Sequence, residues 1–255
     1  MEYAVVNVPA APVRRRPNHR KEMVNQLLFG EVVKVLKTKD PLWLKVRSLH
    51  DNYEGWLTRT LVAEVNEAFA NTACSFVAAE LLASITLEGK VLHIPVGSSL
   101  PMLENTKGTL GEMGYEFSGK TVNRHELKHD LIQLKELAEP WLNAPYLWGG
   151  RTPLGVDCSG YTQVIFKQMG IDLPRDAWQQ AQEGKVVRKY KEAQPGDLVF
   201  FNNKEDIVHT GILLGNDQII HASGKVRVDM IDKKGITDAA TGKRTLSLKA
   251  IRRLW

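Results

Sequence analysis

Short apolar runs, broken by Pro, Gly and Asn, fill the first quarter of the chain. Tyr3–Val8, Glu31–Leu36, Trp43–Arg47 and Tyr53–Leu57 alternate as strands. Pro9, Pro12, Pro17 and Asn18 predict a long loop after the first strand, and Asp51-Asn52 predicts a turn. Many short strands with such turns indicate a small barrel, placed at residues 1–65. In residues 66–122 the pattern is less regular. Ala68–Leu82 reads as helix or linker, Gly89–Gly97 and Leu100–Leu103 as broken strands, and Gly108, Gly111 and Gly114 as turns. This stretch is expected to be a second, divergent barrel.

From Asn123 the period changes. Leu127, Leu131, Leu134, Leu137 and Ala138 recur at spacings of three and four, which predicts an amphipathic helix. Asn123 suits its N-cap, with Glu126 in the capping-box position, and Pro140 ends it. A second helix is expected over Ser159–Met169, burying Val164, Ile165 and Phe166 and closed by Gly170. Strands follow at Asp197–Phe201, around His209, around His221, at Val226–Ile231 and at Arg252–Trp255. Gly215-Asn216-Asp217 joins the two histidine strands as an antiparallel hairpin. Residues 123–255 thus read as one α+β domain, helices first and then an antiparallel sheet.

Composition changes this picture little. The chain has 255 residues, 43% apolar and 25% charged, which suits a globular protein of two or three domains. A net charge of +5 and a pI near 9.1 come with no dense basic run beyond Arg14-Arg15-Arg16, so a nucleic-acid partner is not expected. No apolar run reaches membrane-spanning length. The first residues do not read as a signal peptide, so the expected location is cytoplasmic, or periplasmic or secreted if a signal segment precedes this sequence. Cys74 and Cys158 are expected as free thiols.

The candidate chemistry centres on Cys158. It sits where a loop rich in Gly and Pro meets a helix, so the helix N-terminus is expected to lower its pKa and favour the thiolate. The competing reading is a buried structural thiol. His209 and His221 lie twelve residues apart on adjacent strands, which places both imidazoles on one face. A cysteine with two such histidines fits nucleophile, base and orienting group, His221 holding the ring of His209. The same three residues also form a zinc ligand set, but without the close spacing zinc sites usually show. His125-Glu126-Leu127-Lys128-His129 formally fits a zinc-protease motif, with Glu136 or Glu139 as third ligand; a solvated helix face is the expectation there, and no metal or other cofactor is expected. His93 reads as structural.

These residues resemble a known family. Pro145-Tyr-Leu-Trp-Gly-Gly150, Asp157-Cys158-Ser159-Gly160, Leu173-Pro174-Arg175-Asp176-Ala177, Gln194–Phe201 and the two histidine segments follow the order and spacing of the NlpC-type cell-wall cysteine peptidases, over roughly residues 138–255. Gly30-Glu31, Trp43-Leu-Lys-Val46 and Tyr53-Glu-Gly-Trp56 resemble bacterial SH3-like domains. Together they are similar to the γ-D-glutamyl-L-diamino acid endopeptidases, the dipeptidyl-peptidases VI. The resemblance implies a papain-like cysteine peptidase domain behind two SH3-like barrels, acting as a monomer on muropeptides.

The resemblance also implies residue roles. Tyr146 would assist the oxyanion, beside the Cys158 backbone N–H; packing is its alternative role. Asp157 and Ser159 would contact the γ-D-glutamyl unit, and helix capping competes for Asp157. Arg175-Asp176 would bind the free amine of the substrate's L-Ala, with an ordinary N-cap as the alternative for Asp176. Relatives often carry Ser where this chain has Ala177, so one hydrogen bond there is in question. Tyr53 and Glu22, with Glu31 as the alternative to Glu22, would bind the same amine from the first barrel. Such a site rejects blocked amines and implies muropeptide recycling. A wall-remodelling hydrolase that accepts blocked amines, and a non-catalytic wall-binding protein, are the competing expectations.

Overall fold

The computed structural model describes residues 1–126, 129–203, 206–215 and 217–255. The chain divides into two compact units, Met1–Leu127 with Trp148–Pro153, and Lys128–Leu147 with Leu154–Trp255.

The first unit begins with strands β1 (Tyr3–Val6), β2 (Ala10–Arg14), β3 (Met23–Leu28), β4 (Val32–Thr38), β5 (Trp43–Ser48), β6 (Glu54–Thr58) and β7 (Val62–Val65), in the sheet order β3-β2-β6-β5-β4-β1-β7. Two of these strands lie where a loop is expected from the prolines. Pro12 is tolerated inside β2 because that strand pairs along its length only with β3; toward β6 it pairs only at Arg14. At Gly30, with φ of +76°, a Cβ would fall on the carbonyl oxygen of Ser99. That close approach ties the first barrel to the stretch that follows it.

Strand β1 explains why the first barrel and the stretch that follows it form one unit. All four of its residues are buried. Ala4 and Val6 pack with Leu27, Val33, Leu44 and Leu57 inside the first barrel. Tyr3 and Val5 point the other way, into a core with Ile85, Ile94, Leu110 and Phe117. A strand covered on both faces reads as a continuous apolar run. The second core belongs to α1 (Glu67–Ala70) and to β8 (Phe76–Ala78), β9 (Leu82–Leu87), β10 (Lys90–Pro95), β11 (Lys107–Leu110), β12 (Met113–Phe117) and β13 (Thr121–Asn123). The expected strand at Leu100–Leu103 is a turn instead, and Gly108 and Gly114 lie within strands. The loop Trp148–Pro153, with β14 at Arg151–Thr152, completes the unit. At Gly149 a Cβ would meet the carbonyl of Met23 in β3, so only glycine fits this close approach.

In the second unit the helix expected from Asn123 starts later. Asn123 ends β13 opposite Phe76, and its side chain accepts the His125 N–H at 3.1 Å. Helix α2 spans Leu131–Ala138, with Asp130 as N-cap accepting the Gln133 N–H. Pairing with a strand nearly fifty residues upstream overrides the helical period here, because a ladder and a core are gained that an isolated helical turn lacks. Leu127 and Lys128 lie outside the described residues, as does Asn216. After β15 (Gly155–Val156) comes α3 (Cys158–Gln168), whose eleven residues are all buried, and α4 (Ala177–Gln180). The strands β16 (Lys185–Val186), β17 (Leu198–Asn203), β18 (Asp206–Gly215), β19 (Gln218–Ser223), β20 (Lys225–Asp232), β21 (Gly235–Thr237) and β22 (Arg244–Arg253) form an antiparallel sheet ordered β16-β22-β17-β18-β19-β20-β21. Because β21 also pairs with β22, the sheet closes on itself around Val199, Phe201, Leu213, Ile219, Ile231, Ile236 and Ile251. Helix is sparse and strand dominates, so the α+β description holds only loosely. Among the described residues no helix is long and apolar enough to cross a membrane.

Candidate active site

Helix α3 opens with the nucleophile candidate. Asp157 is its N-cap, in extended conformation, and accepts the Gly160 N–H at 2.7 Å. Cys158 follows as the first helical residue and is 6% exposed. Burial, and after it the Asp157 charge, push the thiol up to about 12, against the pull of the Thr210 and Ser159 N–H groups and of Arg175. This corrects the expected lowering. A helix terminus carries only a partial charge, and desolvation beside a carboxylate outweighs it. The resting thiol is therefore neutral.

The Thr210 N–H that points at the sulfur belongs to β18, next to His209. His209 is itself buried, and burial followed by the charges of His221 and Arg227 lowers its pKa from 6.5 to about 3. Its Nε2 lies 2.7 Å from Nδ1 of His221, and Nε2 of His221 lies 3.0 Å from Oδ2 of Asp229 in β20. Space for this stack comes from Gly211, where a Cβ would meet the Cβ of His221. Burial is the largest influence on Asp229 and pushes it up. The hydrogen bonds from His221 and the Ala239 N–H, with Arg227 alongside, together leave the carboxyl below its usual value. An ionised Asp229 only accepts, so His221 carries its proton on Nε2 and presents Nδ1 as acceptor. His209 then donates from Nε2, and its Nδ1 holds a lone pair. Both nitrogens of His221 are engaged within this line, which turns the two imidazoles away from a shared metal site.

Around Cys158 the expected residues fall as follows. Tyr146 is half-buried, and its hydroxyl pKa is raised by burial first and then by the charges of Cys158 and Asp157, so it stays a proton donor near the sulfur. Arg175 is buried and grips Asp157 through two bonds of 3.0 and 2.6 Å, while also donating to the Ser159 hydroxyl at 2.9 Å. The Asp157 carboxylate thus serves the helix cap and the ion pair. Asp176 caps α4 in a capping box with Gln179. The structure does not bring His125 and His129 onto a helix; residues 124–126 form a turn, and His129 Nε2 meets the Met169 carbonyl at 2.9 Å. His93 is exposed and pairs with Ser84.

Three candidates belong to the first unit. Tyr53 is half-buried just before β6. Glu22 accepts the Trp148 indole N–H at 2.9 Å and pairs with Arg15 at 3.3 Å. Glu31, the alternative to Glu22, is buried; Arg151 holds both its carboxylate oxygens, at 2.8 and 2.9 Å, and the Leu28 N–H adds a third bond. Glu31 therefore has an internal cation where a substrate amine would have to bind. Sequence reasoning missed Asp229. Its only signal is a carboxylate on the buried face of an alternating strand, where an unpaired charge is too costly to persist.

The NlpC/P60 family profile matches residues 143–245, which hold Tyr146, Cys158, Arg175, Asp176, His209, His221 and Asp229. The chain carries an NlpC/P60 domain. A bacterial dipeptidyl-peptidase SH3 domain profile matches residues 13–60. The chain is 28% identical to dipeptidyl-peptidase 6 of Lysinibacillus sphaericus over 91% of its own length and 92% of that protein. It is 34% identical to the gamma-D-glutamyl-L-lysine dipeptidyl-peptidase of Bacillus cereus over 45% of this chain and 35% of that protein, so this match takes in only about a third of the relative. An NlpC/P60 family protein from Bacillus cereus shares the fold over 98% of this chain and 99% of that one, with a TM-score of 0.83 at 22% identity. The chain thus combines an NlpC/P60 domain with an SH3-like domain ahead of it.

Proposed function

We propose that this NlpC/P60 peptidase hydrolyses the γ-D-glutamyl–diamino acid bond of free-amine muropeptides, L-Ala-γ-D-Glu-L-Lys or its diaminopimelate counterpart. It releases L-Ala-D-Glu in peptidoglycan peptide recycling, as a monomer in the cytoplasm. The observation that carries the reading is the likeness to dipeptidyl-peptidase 6 along 91% of the chain, which extends well beyond the catalytic domain. The Bacillus cereus relative adds the γ-D-glutamyl-L-lysine bond by its name.

The chemistry follows from the neutral pair. Nδ1 of His209 takes the Cys158 proton as the sulfur attacks the γ-glutamyl carbonyl carbon, so no thiolate has to persist in the resting site. The carbonyl π electrons move to oxygen, where the Cys158 N–H and the Tyr146 hydroxyl stabilise the charge. Collapse breaks the C–N bond, and His209 returns the proton to the departing amine. Water, deprotonated by His209, then hydrolyses the thioester and restores the thiol. Ser159, whose hydroxyl accepts from Arg175 and donates to Asp157 at 3.4 Å, is assigned the substrate's α-carboxylate, toward which its hydrogen would turn. Asp176 is assigned the L-Ala ammonium. A carboxylate built for an ammonium rejects an acylated amine, since the charge is then left unpaired.

A second reading is wall remodelling on blocked amines. It is favoured by 42% identity over 84 residues to the Escherichia coli murein DD-endopeptidase MepS/murein LD-carboxypeptidase, covering 32% of this chain and 44% of that protein. Incubation with the lysine and diaminopimelate tripeptides, read by mass spectrometry, tests the proposal. L-Ala-D-Glu should appear with one of them and be absent with Cys158→Ala. Failure to cleave either peptide defeats the reading and favours a wall-binding role.

A further inference from the structure

The line of hydrogen bonds does not end at the second histidine. Asp229 is 2% exposed, and three donors hold it: His221 at 3.0 Å and Arg227 at 2.8 Å on Oδ2, and the Ala239 N–H at 3.0 Å on Oδ1. Arg227 also reaches Asp238 at 2.8 Å. Asp238 in turn collects the N–H groups of Ala240 and Thr241 at 3.0 and 2.8 Å, so the turn after β21 braces the carboxylate. This is far more than a buried charge needs for neutralisation by one arginine. It fixes the direction in which the carboxylate faces His221.

Resting on the peptidase reading above, we infer that Asp229 is a positioning residue that selects, through two imidazoles, which nitrogen of His209 acts as base. The proton logic has two states. With Asp229 accepting from Nε2 of His221, His209 must donate from Nε2, and its Nδ1 is free to take the thiol proton. With His221 protonated on Nδ1 instead, the 2.7 Å contact requires His209 to accept at Nε2 and carry its proton on Nδ1. That tautomer cannot accept from Cys158. A neutral imidazole pair prefers neither state strongly by itself, so the carboxylate decides.

Long-range 1H–15N NMR of the imidazole nitrogens in the resting enzyme reads the tautomers directly, without any substrate. Both histidines of the wild type should be protonated on Nε2. Asp229→Ala should give a mixture of tautomers and lower kcat by about 10- to 100-fold with KM within about twofold. Asp229→Asn, which keeps the volume and one acceptor oxygen, should fall between the two. Arg227→Ala, which leaves the carboxylate, should keep the wild-type tautomers. A wild-type His209 protonated on Nδ1, or wild-type tautomers in both Asp229 variants, overturns the inference. If the wild type cleaves no muropeptide, the functional reading fails while the tautomer result still stands or falls on its own.

Discussion

Among the described residues, two arginine–carboxylate pairs have both side chains almost fully buried, one in each unit. In Arg151–Glu31 the side chains are 0% and 1% exposed; in Arg175–Asp157 they are 1% and 7% exposed. Each arginine binds its carboxylate through two nitrogens. The first pair is surrounded by backbone: Arg151 also donates to the Gln26 carbonyl at 2.9 Å, and Glu31 takes the Leu28 N–H. It fastens the loop Trp148–Pro153 within the first unit. The second pair flanks the proposed nucleophile, and its two charges pull the Cys158 thiol in opposite directions. One pair thus maintains shape alone. The other maintains shape and also sets the electrostatics of a reacting atom. Buried pairs are poor evidence of net stability, but removing one partner strands a charge, and that cost is large.

The largest expected effect comes from breaking the second pair. Arg175→Met leaves the Asp157 carboxylate buried next to the sulfur. Stability should fall by about 3–5 kcal/mol in urea titration, and kcat/KM of the folded fraction by at least about 100-fold. Glu31→Ala breaks the first pair and should cost a similar 3–5 kcal/mol or so, but leave kcat of the folded fraction within about threefold. Loss of activity from Glu31→Ala as deep as from Arg175→Met, at matched folded fraction, would erase the distinction between the pairs.

Thiol chemistry sharpens the comparison. With Cys74→Ser to remove the background, alkylation of Cys158 by iodoacetamide should rise about tenfold per pH unit to pH 9 and beyond. A plateau between pH 5 and 8 would mean a resting thiolate and contradict the neutral pair.

A smaller effect concerns acid stability. His209 titrates near 3 when folded and at its ordinary 6.5 when unfolded. Between these values the unfolded chain binds more protons, so stability rises with pH and is lost as pH falls from 6.5 toward 3, by about 1 kcal/mol per unit. Urea midpoints measured from pH 7 to 5, above the range where the carboxylates titrate, should show this slope, and it should be absent in His209→Ala. The smallest is Tyr146→Phe, for which kcat should drop about tenfold with little change in melting temperature.

Much of this site was legible in the sequence for a physical reason. His209 and His221 stand out because each is a polar residue inside an apolar strand, and the hairpin spacing between them predicts one face; Cys158 stands out because a loop rich in Gly and Pro delivers it to a helix start. Helix α3 is equally clear, since Val164, Ile165 and Phe166 sit in a run closed by Gly170. Asp229 was hidden because its partner His221 is set by strand register, which the alternation of β20 does not reveal. The raised thiol pKa was hidden for a related reason: a helix start is visible in sequence, whereas the burial of all eleven residues of α3 is a tertiary fact. The helix expected from Asn123 failed because residues 121–123 pair with 76–78, a contact no local window contains. Strand β2 was masked by Pro12, which is harmless only because one side of that strand is almost unpaired.

The central claim is specificity for a free amine. It is tested most directly by the initial rates on L-Ala-γ-D-Glu-L-Lys and its N-acetylated form, or on the diaminopimelate pair, side by side with Cys158→Ala as control. Cleavage confined to the free-amine peptide and lost in the variant is the predicted result. Comparable rates on both forms would contradict it and assign the enzyme to wall remodelling.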